Sequence, residues 1–356
     1  MNPELYERYL QKKAKKLGIS VEELKSNGIP TADKNNDNEP KYVQQTIQEQ
    51  LEKENQQIYS SVKEPQIYEQ PKIDDTRENK FALIGYPLGH SLSKIIHEAG
   101  FKSLNVDAEY EILETPPDTL IERIKYLKIN GYKGFNVTIP LKLPISLFVN
   151  EVDRYADIAR AVNTVSIEAD KSLKAYNTDV IGFKRAIPND INLSGKNVAI
   201  LGTGGAAHAA CTALSECGVK EISFFTRNIP NSIDLMNYVR RIFSNIKFSV
   251  YQIENIRNLE EYDMLVNTTP IGMLGKAGDM MPVEAKALTT LNSKAVIYDV
   301  IYNPKKTVLL KEAEKLNLRT INGLDMLIYQ ALSAQEIWFG KTPDFKDMKI
   351  AALEAL

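Results

Sequence analysis

The sequence predicts an α/β protein of two domains, preceded by a partly disordered or helical N-terminal extension. Three observations carry this prediction. Short apolar runs alternate with helical stretches from Phe81 onward, a glycine-rich turn follows one of those runs, and the first 80 residues have a composition of their own. Alternation of strand and helix is typical of a largely parallel sheet. A chain of 356 residues is also long enough for two ordinary domains.

The first 80 residues carry 28 charged side chains and 16 Asn or Gln, and neither Phe nor Trp. Such a segment buries little apolar surface, so we expect it to be extended or partly helical. Helical spacing of apolar residues marks the stretches 3–17 and 42–62, and TADKNNDNEP between them is predicted to be a flexible linker. We interpret the extension as a solvated tail. A docking or oligomerisation helix is the alternative, and no partner is assigned.

The overall composition excludes several classes of function. With 43% hydrophobic and 25% charged residues the chain is typical of soluble globular proteins. A net charge of −2 provides no global field that would attract nucleic acid or an anionic membrane. The start MNPELYERYLQKKAKK lacks the apolar core of a signal peptide. Two cysteines, Cys211 and Cys217, indicate neither a disulfide framework nor a zinc site, so a reduced cytoplasmic setting is expected.

Most secondary structure is predicted from short apolar runs bounded by turn residues. We expect strands at FALIG, YEILE, GFNVTI, NVAILG, ISFFT, MLVNTT and AVIYDVI. We expect helices at PDTLIERIKYLKIN and TVLLKEAEKLNL, and another after GYPLGHSLSK. The result is a repeated pattern of strand, turn and helix.

The stretch NVAILGTGGAAHAACTAL places a glycine turn between a buried strand and a small-residue helix. Gly202, Gly204 and Ala207 have the spacing G-x-G-x-x-A. Glycine allows a tight turn and close approach of the backbone to a pyrophosphate, and the helix N-terminus provides free N–H groups. We therefore predict a dinucleotide site, with a purely structural turn as the alternative. The turn contributes Gly202, Thr203, Gly204, Gly205 and Ala206.

The next predicted strand, EISFFTRN, indicates which dinucleotide binds. An NAD site usually has an acidic residue near this position for the ribose 2′-hydroxyl. Thr226, Arg227 and Asn228 stand there instead, and an arginine fork suits a 2′-phosphate. The sequence therefore favours NADP, unless Arg227 is merely a solvated residue.

Two serines follow the first predicted strand, in GYPLGHSLSK. Serine is a common helix N-cap, which would explain only one of Ser91 and Ser93. Two hydroxyl donors at the start of a helix also suit an anion.

Three further stretches contain polar residues near strand ends: GFNVTIPLK, AVNTV and AYNTD. They provide donors and acceptors for a small polyhydroxylated ligand. Lys142 and Asp179 add one amine and one carboxylate for proton transfer. Taken singly, each Asn-Thr pair could make a turn, and Lys142 could be a surface lysine.

Taken together, these motifs resemble the shikimate dehydrogenase family. GYPLGHSLS, GFNVTIPLK, AVNT, YNTD, GTGGAA, NTTPIGM, DVIYNP and NGLDMLIYQA occur in the family's order between Phe81 and about Gly340. The resemblance implies a split substrate domain at 81–190 and 319–356, and a Rossmann-type NADP-binding domain at 191–318. It also implies reversible NADP-dependent reduction of 3-dehydroshikimate to shikimate, a step of chorismate and aromatic amino acid biosynthesis.

The resemblance implies a role for individual residues. Ser91 and Ser93 would hold the shikimate carboxylate, with Tyr302 nearby. Lys142 and Asp179 would form the proton-transfer pair, without indication of which member is the base. The ring hydroxyls would be held by Thr138, Asn163, Asp179 and Gln330, and the nicotinamide half of NADP by Asn267, Thr268, Gly272 and Met326. The alternative for Met326 is core packing.

The chain departs from the family pattern at several positions. His208 replaces an arginine near the cofactor phosphates, and Arg160 replaces the glycine before AVNT. Two other functions therefore stay open: a quinate/shikimate dehydrogenase using NAD, and a non-catalytic NADP- or ligand-binding regulator that acts through residues 1–80. No metal site is expected, since His90, His97 and His208 lack acidic neighbours at ligand spacing.

Overall fold

The structure, a computed structural model, describes residues 79–89, 91–275 and 277–356. The chain divides into two compact units, Met1–Asp75 and Thr76–Leu356, and the described residues lie in the second. The helices expected at 3–17 and 42–62 therefore lie outside the described residues.

The first half of the described chain forms a six-stranded mixed sheet. Its strands are β1 (Lys80–Gly85), β2 (Glu109–Glu114), β3 (Tyr132–Val137), β4 (Glu151–Val152), β5 (Thr164–Ile167) and β6 (Leu173–Tyr176). Their order is β2-β1-β3-β5-β6-β4, with β1 parallel to β2 and β3, and β5 antiparallel to β3 and β6. The accompanying helices are α1 (Ser93–Ser103), α2 (Leu120–Ile129), α3 (Arg154–Ala159) and α4 (Thr178–Arg185).

The second half forms a six-stranded, fully parallel sheet. Its strands are β7 (Asn197–Leu201), β8 (Glu221–Thr226), β9 (Lys247–Gln252), β10 (Met264–Asn267), β11 (Val296–Asp299) and β12 (Arg319–Ile321). The order β12-β11-β10-β7-β8-β9 is that of a Rossmann fold, with its switch point between β7 and β10. The helices are α5 (Gly205–Glu216), α6 (Ile229–Ile242), α7 (Ala285–Leu288) and α8 (Val308–Lys315). The predicted fold class is confirmed.

The last two helices return to the first half. They are α9 (Leu324–Phe339), which packs against α4 and α1, and α10 (Phe345–Glu354), which packs against α1. Leu92 and Ile96 join Ile328, Leu332 and Met348 in one buried apolar cluster. The first half is therefore completed by the end of the chain.

All seven predicted strands are present, and so are the four predicted helices that fall within the described residues, α1, α2, α5 and α8. The Asn-Thr pair of AVNTV does not end a strand, because Thr164 begins β5; the pair of AYNTD follows β6 as expected. Sequence analysis missed β4, β5, β9 and β12, which are short or alternate polar with apolar residues. Among the described helices, none combines the length and apolarity needed to cross a bilayer.

Candidate active site

The serine turn lies between β1 and α1. Leu92, not a serine, occupies the N-cap position of α1. The Ser91 hydroxyl instead accepts a hydrogen bond from the backbone N–H of Ser93 at 3.2 Å and lies 3.1 Å from the Ser93 hydroxyl. Tyr302 packs against the apolar cluster that contains Leu92, and burial raises the pKa of its phenol. The interpretation of one serine as an N-cap is therefore wrong, and the position of Tyr302 near the substrate carboxylate stays a prediction.

Lys142 follows β3 and Asp179 follows β6, and because these two strands run in the same direction, both residues lie at one edge of the first sheet. The Lys142 amine lies 2.6 Å from Asp179 Oδ2, with side chains that are 17% and 10% exposed. The other carboxylate oxygen, Oδ1, accepts a hydrogen bond from the Asn163 side-chain amide at 2.9 Å. The proposed proton-transfer pair is thus a nearly buried ion pair with a third polar partner.

The position of Asp179 follows from the local sequence of α4. Asn177 caps this helix, since its side-chain oxygen accepts a hydrogen bond from Val180 N at 3.2 Å. Asp179 then lies in the first turn, where the helix dipole favours a negative charge. The Asn177 amide also donates to Ala161 O at 2.7 Å, which ties the start of α4 to the segment that carries Asn163.

Gln330 reaches the same polar group from α9. Its side-chain oxygen lies 3.5 Å from the Asn163 amide nitrogen, and its own amide donates to Leu327 O at 2.8 Å. This approach depends on Gly182 in α4, because a Cβ there would lie 2.6 Å from Met326 O and 3.0 Å from Gln330 Cβ. The structure therefore groups Gln330 with Lys142, Asn163 and Asp179. Thr138 follows β3 four residues before Lys142.

The glycine turn lies where β7 meets α5. Gly202 has a φ of 101°, a conformation that favours glycine. Gly204 is the N-cap of α5 and has no side-chain capping bond, and a Cβ at this position would meet nothing within 4 Å. There is thus open space beside the exposed Gly204 at the start of α5, and Thr203, Gly205 and Ala206 around it are half-buried. This turn fits a pyrophosphate.

The lysine and the glycine turn are direct neighbours. A Cβ at Gly205 would lie 3.0 Å from Lys142 Cδ. The polar group of the first half and the dinucleotide turn of the second half therefore belong to one site.

The end of β8 provides the residues expected at the adenosine ribose. Thr226 is buried and accepts a hydrogen bond from Asn228 N at 3.0 Å, and its hydroxyl lies 3.4 Å from that of Thr203. Arg227 is exposed. The guanidinium is therefore available to an anion next to the glycine turn.

The end of β10 is tied to β11 by buried hydrogen bonds. The Asn267 amide donates to Asp299 Oδ1 at 3.0 Å and to Ile271 O at 3.2 Å, and the Thr268 hydroxyl donates to Leu201 O at 2.6 Å. Burial raises the pKa of Asp299 from its ordinary 3.8 to about 6, although its hydrogen bonds oppose this shift. Asn267 is fully buried, and its side chain holds the end of β10 in place through these hydrogen bonds.

Gly272 and Met326, the other two residues expected near the nicotinamide, lie in a loop and in the apolar core, respectively. Gly272 has a φ of 103° and packs beside Thr307, in the loop after β10. Met326 is 7% exposed and belongs to the apolar core that α4 and α5 share. A contact of Met326 with the nicotinamide stays a prediction.

Arg160 and His208, the two departures from the family pattern, are neighbours in space. His208 on α5 lies with Nδ1 2.7 Å from the carbonyl oxygen of Ala159, the last residue of α3. Because a carbonyl only accepts, Nδ1 carries the proton. Burial lowers the pKa of His208; the hydrogen bond to Ala159 opposes this shift, and the charge of Arg160 adds to it. Arg160 ends α3 with a φ of 51° and stacks its guanidinium over Tyr238 of α6 at 4.7 Å.

The histidines of the described residues form no metal site. His97 is buried against Tyr110, its ring stacked at 4.2 Å, and burial lowers its pKa to about 3. No group of three or more His, Cys, Asp or Glu within the described ranges could hold a metal ion.

Comparison with known proteins shows which family this chain belongs to. The model of the "Shikimate dehydrogenase substrate binding domain" matches residues 83–165, and that of the "Shikimate 5'-dehydrogenase C-terminal domain" matches residues 323–353. A shikimate dehydrogenase (NADP(+)) of Caldanaerobacter subterraneus subsp. tengcongensis is 38% identical over 273 residues, which are 76% of this chain and 94% of that protein. The chain belongs to the shikimate dehydrogenase family. It is an oxidoreductase of that family.

Solved structures of shikimate dehydrogenases have the same fold. A crystal structure of shikimate dehydrogenase in complex with NADP+ has a TM-score of 0.71 at 37% identity and covers 78% of this chain and 95% of that one. The shikimate 5-dehydrogenase of Thermus thermophilus in complex with NADP(H) and shikimate has a TM-score of 0.68 at 31% identity, covering 78% and 99%. Membership of the family therefore extends over both sheets.

Sequence analysis missed a set of buried polar residues beneath the site of this family member. Asn136 and Thr164 lie opposite each other on β3 and β5, and Thr178 begins α4. All three are buried. An asparagine inside the apolar run GFNVTI was the available signal.

Proposed function

We propose that the chain catalyses the NADP-dependent interconversion of shikimate and 3-dehydroshikimate, with Lys142 and Asp179 as its proton-transfer pair. The observation that carries this proposal is the position of Lys142. Its amine pairs with Asp179 at 2.6 Å, while its aliphatic stem lies against the glycine turn at Gly205. A proton-transfer group is thus held where a polyhydroxylated substrate and a dinucleotide would meet.

The reaction needs one hydride and one proton to move. NADP, when bound, would supply the hydride chemistry at the substrate C3, and the glycine turn and Arg227 would hold it. The C3 hydroxyl proton passes to the protein as the C3–O bond becomes a carbonyl, and then to water. Both oxygens of Asp179 already accept a hydrogen bond, from Asn163 and Lys142. A carboxylate oxygen can accept further hydrogen bonds, and the Lys142 ammonium of the ion pair has no free electron pair, so neither residue is singled out as the base. In our proposal the Lys142–Asp179 pair takes up and releases the proton as a unit, and Asp179 orients the Lys142 amine.

The remaining residues of the site divide between the two ends of the substrate. Ser91 and Ser93 would bind the carboxylate, with Tyr302 beside them. Thr138, Asn163 and Gln330 would bind ring hydroxyls, and a site built from such donors and acceptors strongly rejects analogues that lack a hydroxyl. We assign 81–190 and 319–356 to substrate binding and 191–318 to NADP binding.

The choice of NADP is supported by Arg227. It is exposed at the end of β8, with no acidic residue following it, so it can form a bidentate contact with a 2′-phosphate. The relatives described above are named for NADP(+), which agrees with this assignment.

The direct test is absorbance at the reduced-nicotinamide band of the purified full chain, with shikimate or quinate, each with NADP+ or NAD+. We expect rapid reduction only with shikimate and NADP+. Faster turnover of quinate, or equal use of NAD+, would move the chain to a quinate/shikimate dehydrogenase. Binding of NADP+ without turnover of either acid would contradict catalysis and favour the regulatory alternative.

A further inference from the structure

A continuous series of buried hydrogen bonds runs beneath the site from β2 to Asp179. The Tyr110 hydroxyl donates to Asn136 Oδ1 at 2.7 Å, and the Asn136 amide donates to the Thr164 hydroxyl at 3.0 Å. The Thr164 hydroxyl lies 3.1 Å from Asn163 Oδ1, to which it donates. The Asn163 amide then donates to Asp179 Oδ1 at 2.9 Å. Five residues on four segments of the chain are thereby connected, since Asn163 directly precedes Thr164.

The direction of these hydrogen bonds is fixed by backbone groups. Asn136 must point its amide nitrogen toward Asn163 O, at 3.2 Å, because a carbonyl oxygen only accepts. Its side-chain oxygen is therefore left for Tyr110. Asn163 must likewise present its side-chain oxygen to the backbone N–H of Thr178, at 2.7 Å, because an N–H only donates. Its amide nitrogen is therefore turned toward Asp179.

The two threonine hydroxyls donate in the same direction as the asparagine amides. Thr164 and Thr178 have their hydroxyl oxygens 3.0 Å apart, and both lie within 3.2 Å of Asn163 Oδ1. Whichever hydroxyl donates to the other, one proton remains for Asn163 Oδ1. Every link thus donates toward Asp179, and hydrogen bonds in series polarise one another in a buried setting.

We propose that Asn136 and Thr164 are positioning residues that act through Asn163 to hold its amide donor on the Asp179 carboxylate. This inference rests on the proposed function, since it assigns these residues to the alignment of the Lys142–Asp179 pair. It explains why β3 and β5 place Asn136 opposite Thr164 inside an otherwise apolar sheet. A polar pair buried there is costly unless its hydrogen bonds are made.

The test compares Thr164→Val with Thr164→Ser in the full chain, and Thr212→Val is the matched control. Thr212 is also fully buried, and its hydroxyl donates to His208 O at 3.0 Å within α5. We measure kcat per NADP+-binding site, with sites counted by fluorescence titration, so that loss of folded protein does not lower the result. Thr164→Val should lower kcat about three- to tenfold, the effect of one ordinary hydrogen bond, and leave the Kd for NADP+ within twofold. Thr164→Ser should restore kcat, and Thr212→Val should leave it unchanged.

A double-mutant cycle with Asn136→Leu tests the serial arrangement. If the links act in series, Asn136→Leu/Thr164→Val should be no slower than the slower single variant. Additive losses, an unchanged kcat in Thr164→Val, or failure of Thr164→Ser to restore it would overturn the inference. If Asn136→Leu does not fold, the Thr164 variants alone decide. Absence of shikimate turnover in the wild-type chain would instead contradict the proposed function.

Discussion

The Arg160 guanidinium lies 4.7 Å from the ring centre of Tyr238, although Arg160 has a left-handed backbone with a φ of 51°. Tyr238 in turn donates a hydrogen bond to Asp157 Oδ2 at 2.8 Å, and burial raises the pKa of its phenol. Arg154 pairs with Glu216 at 2.6 Å along the same junction. Helix α3 of the first half is therefore attached to α5 and α6 of the second by side chains at both of its ends.

The backbone of Arg160 allows a prediction about stability. A left-handed conformation costs a residue with a side chain about 1–2 kcal/mol, whereas an exposed cation–π contact contributes about 0.5–1 kcal/mol. Arg160→Gly removes both the cost of the left-handed backbone and the cation–π contact, so the free energy of unfolding should change by less than about 1 kcal/mol. Arg160→Ala removes only the contact and should be the less stable variant in chemical denaturation. A glycine variant clearly less stable than the alanine variant would contradict this account.

Removal of the Lys142 amine should abolish proton transfer without disturbing the fold. Lys142→Met keeps the aliphatic stem against Gly205, so NADP+ should still bind, whereas kcat should fall about 10²- to 10⁴-fold. Steady-state kinetics and a fluorescence titration measure the two quantities. Lys174→Met is the control, because Lys174 pairs with Glu151 at 3.6 Å on the surface of the same sheet. Near-normal turnover of Lys142→Met would refute the assignment.

Arg227 should determine the preference for NADP over NAD. Arg227→Gln removes a charge-assisted contact with the 2′-phosphate, so the KM for NADP+ should rise about 10- to 100-fold while the KM for NAD+ changes little. Arg241→Gln, an exposed change in the last turn of α6, is the matched control. Equal changes in the two KM values would show that Arg227 does not contact the phosphate.

Asp299 should make stability depend on pH. Its pKa is about 6 in the fold against an ordinary 3.8, so the folded state binds more protons than the unfolded state between these values. The contribution of Asp299 to the free energy of unfolding is therefore fully present at low pH. It is lost as pH rises from about 4 to 6, by up to about 3 kcal/mol. Asp299→Asn, which mimics the protonated group, should lack this loss. Denaturation at pH 4 and 7 measures the difference, and parallel profiles for the two proteins would exclude the effect.

The second sheet could be predicted from the sequence because parallel strands buried on both faces form continuous apolar runs, as in NVAILG and AVIYDVI. Strand β5 was missed, and β6 was expected only from the Asn-Thr pair that follows it, because both strands have four residues and include polar ones. The motifs predicted that Lys142, Asn163, Asp179 and Gln330 belong to one site. In the structure these four side chains lie close together. The hydrogen-bond series through Asn136 could not be predicted, since it depends on the register between β3 and β5. The meeting of Arg160 with His208 depends in the same way on how α3 packs against α5.

The return of α9 and α10 to the first sheet has a consequence for the nascent chain. Synthesis proceeds from the N-terminus, and domains generally fold as units in that order. Leu92 and Ile96 nevertheless gain Ile328, Leu332 and Met348 as neighbours only after the whole Rossmann half has been synthesised. The apolar packing around the serine turn at the start of α1 is therefore completed only after the Rossmann half has been made. A premature stop codon that removes only these two helices would therefore damage α1, which is synthesised before the Rossmann half.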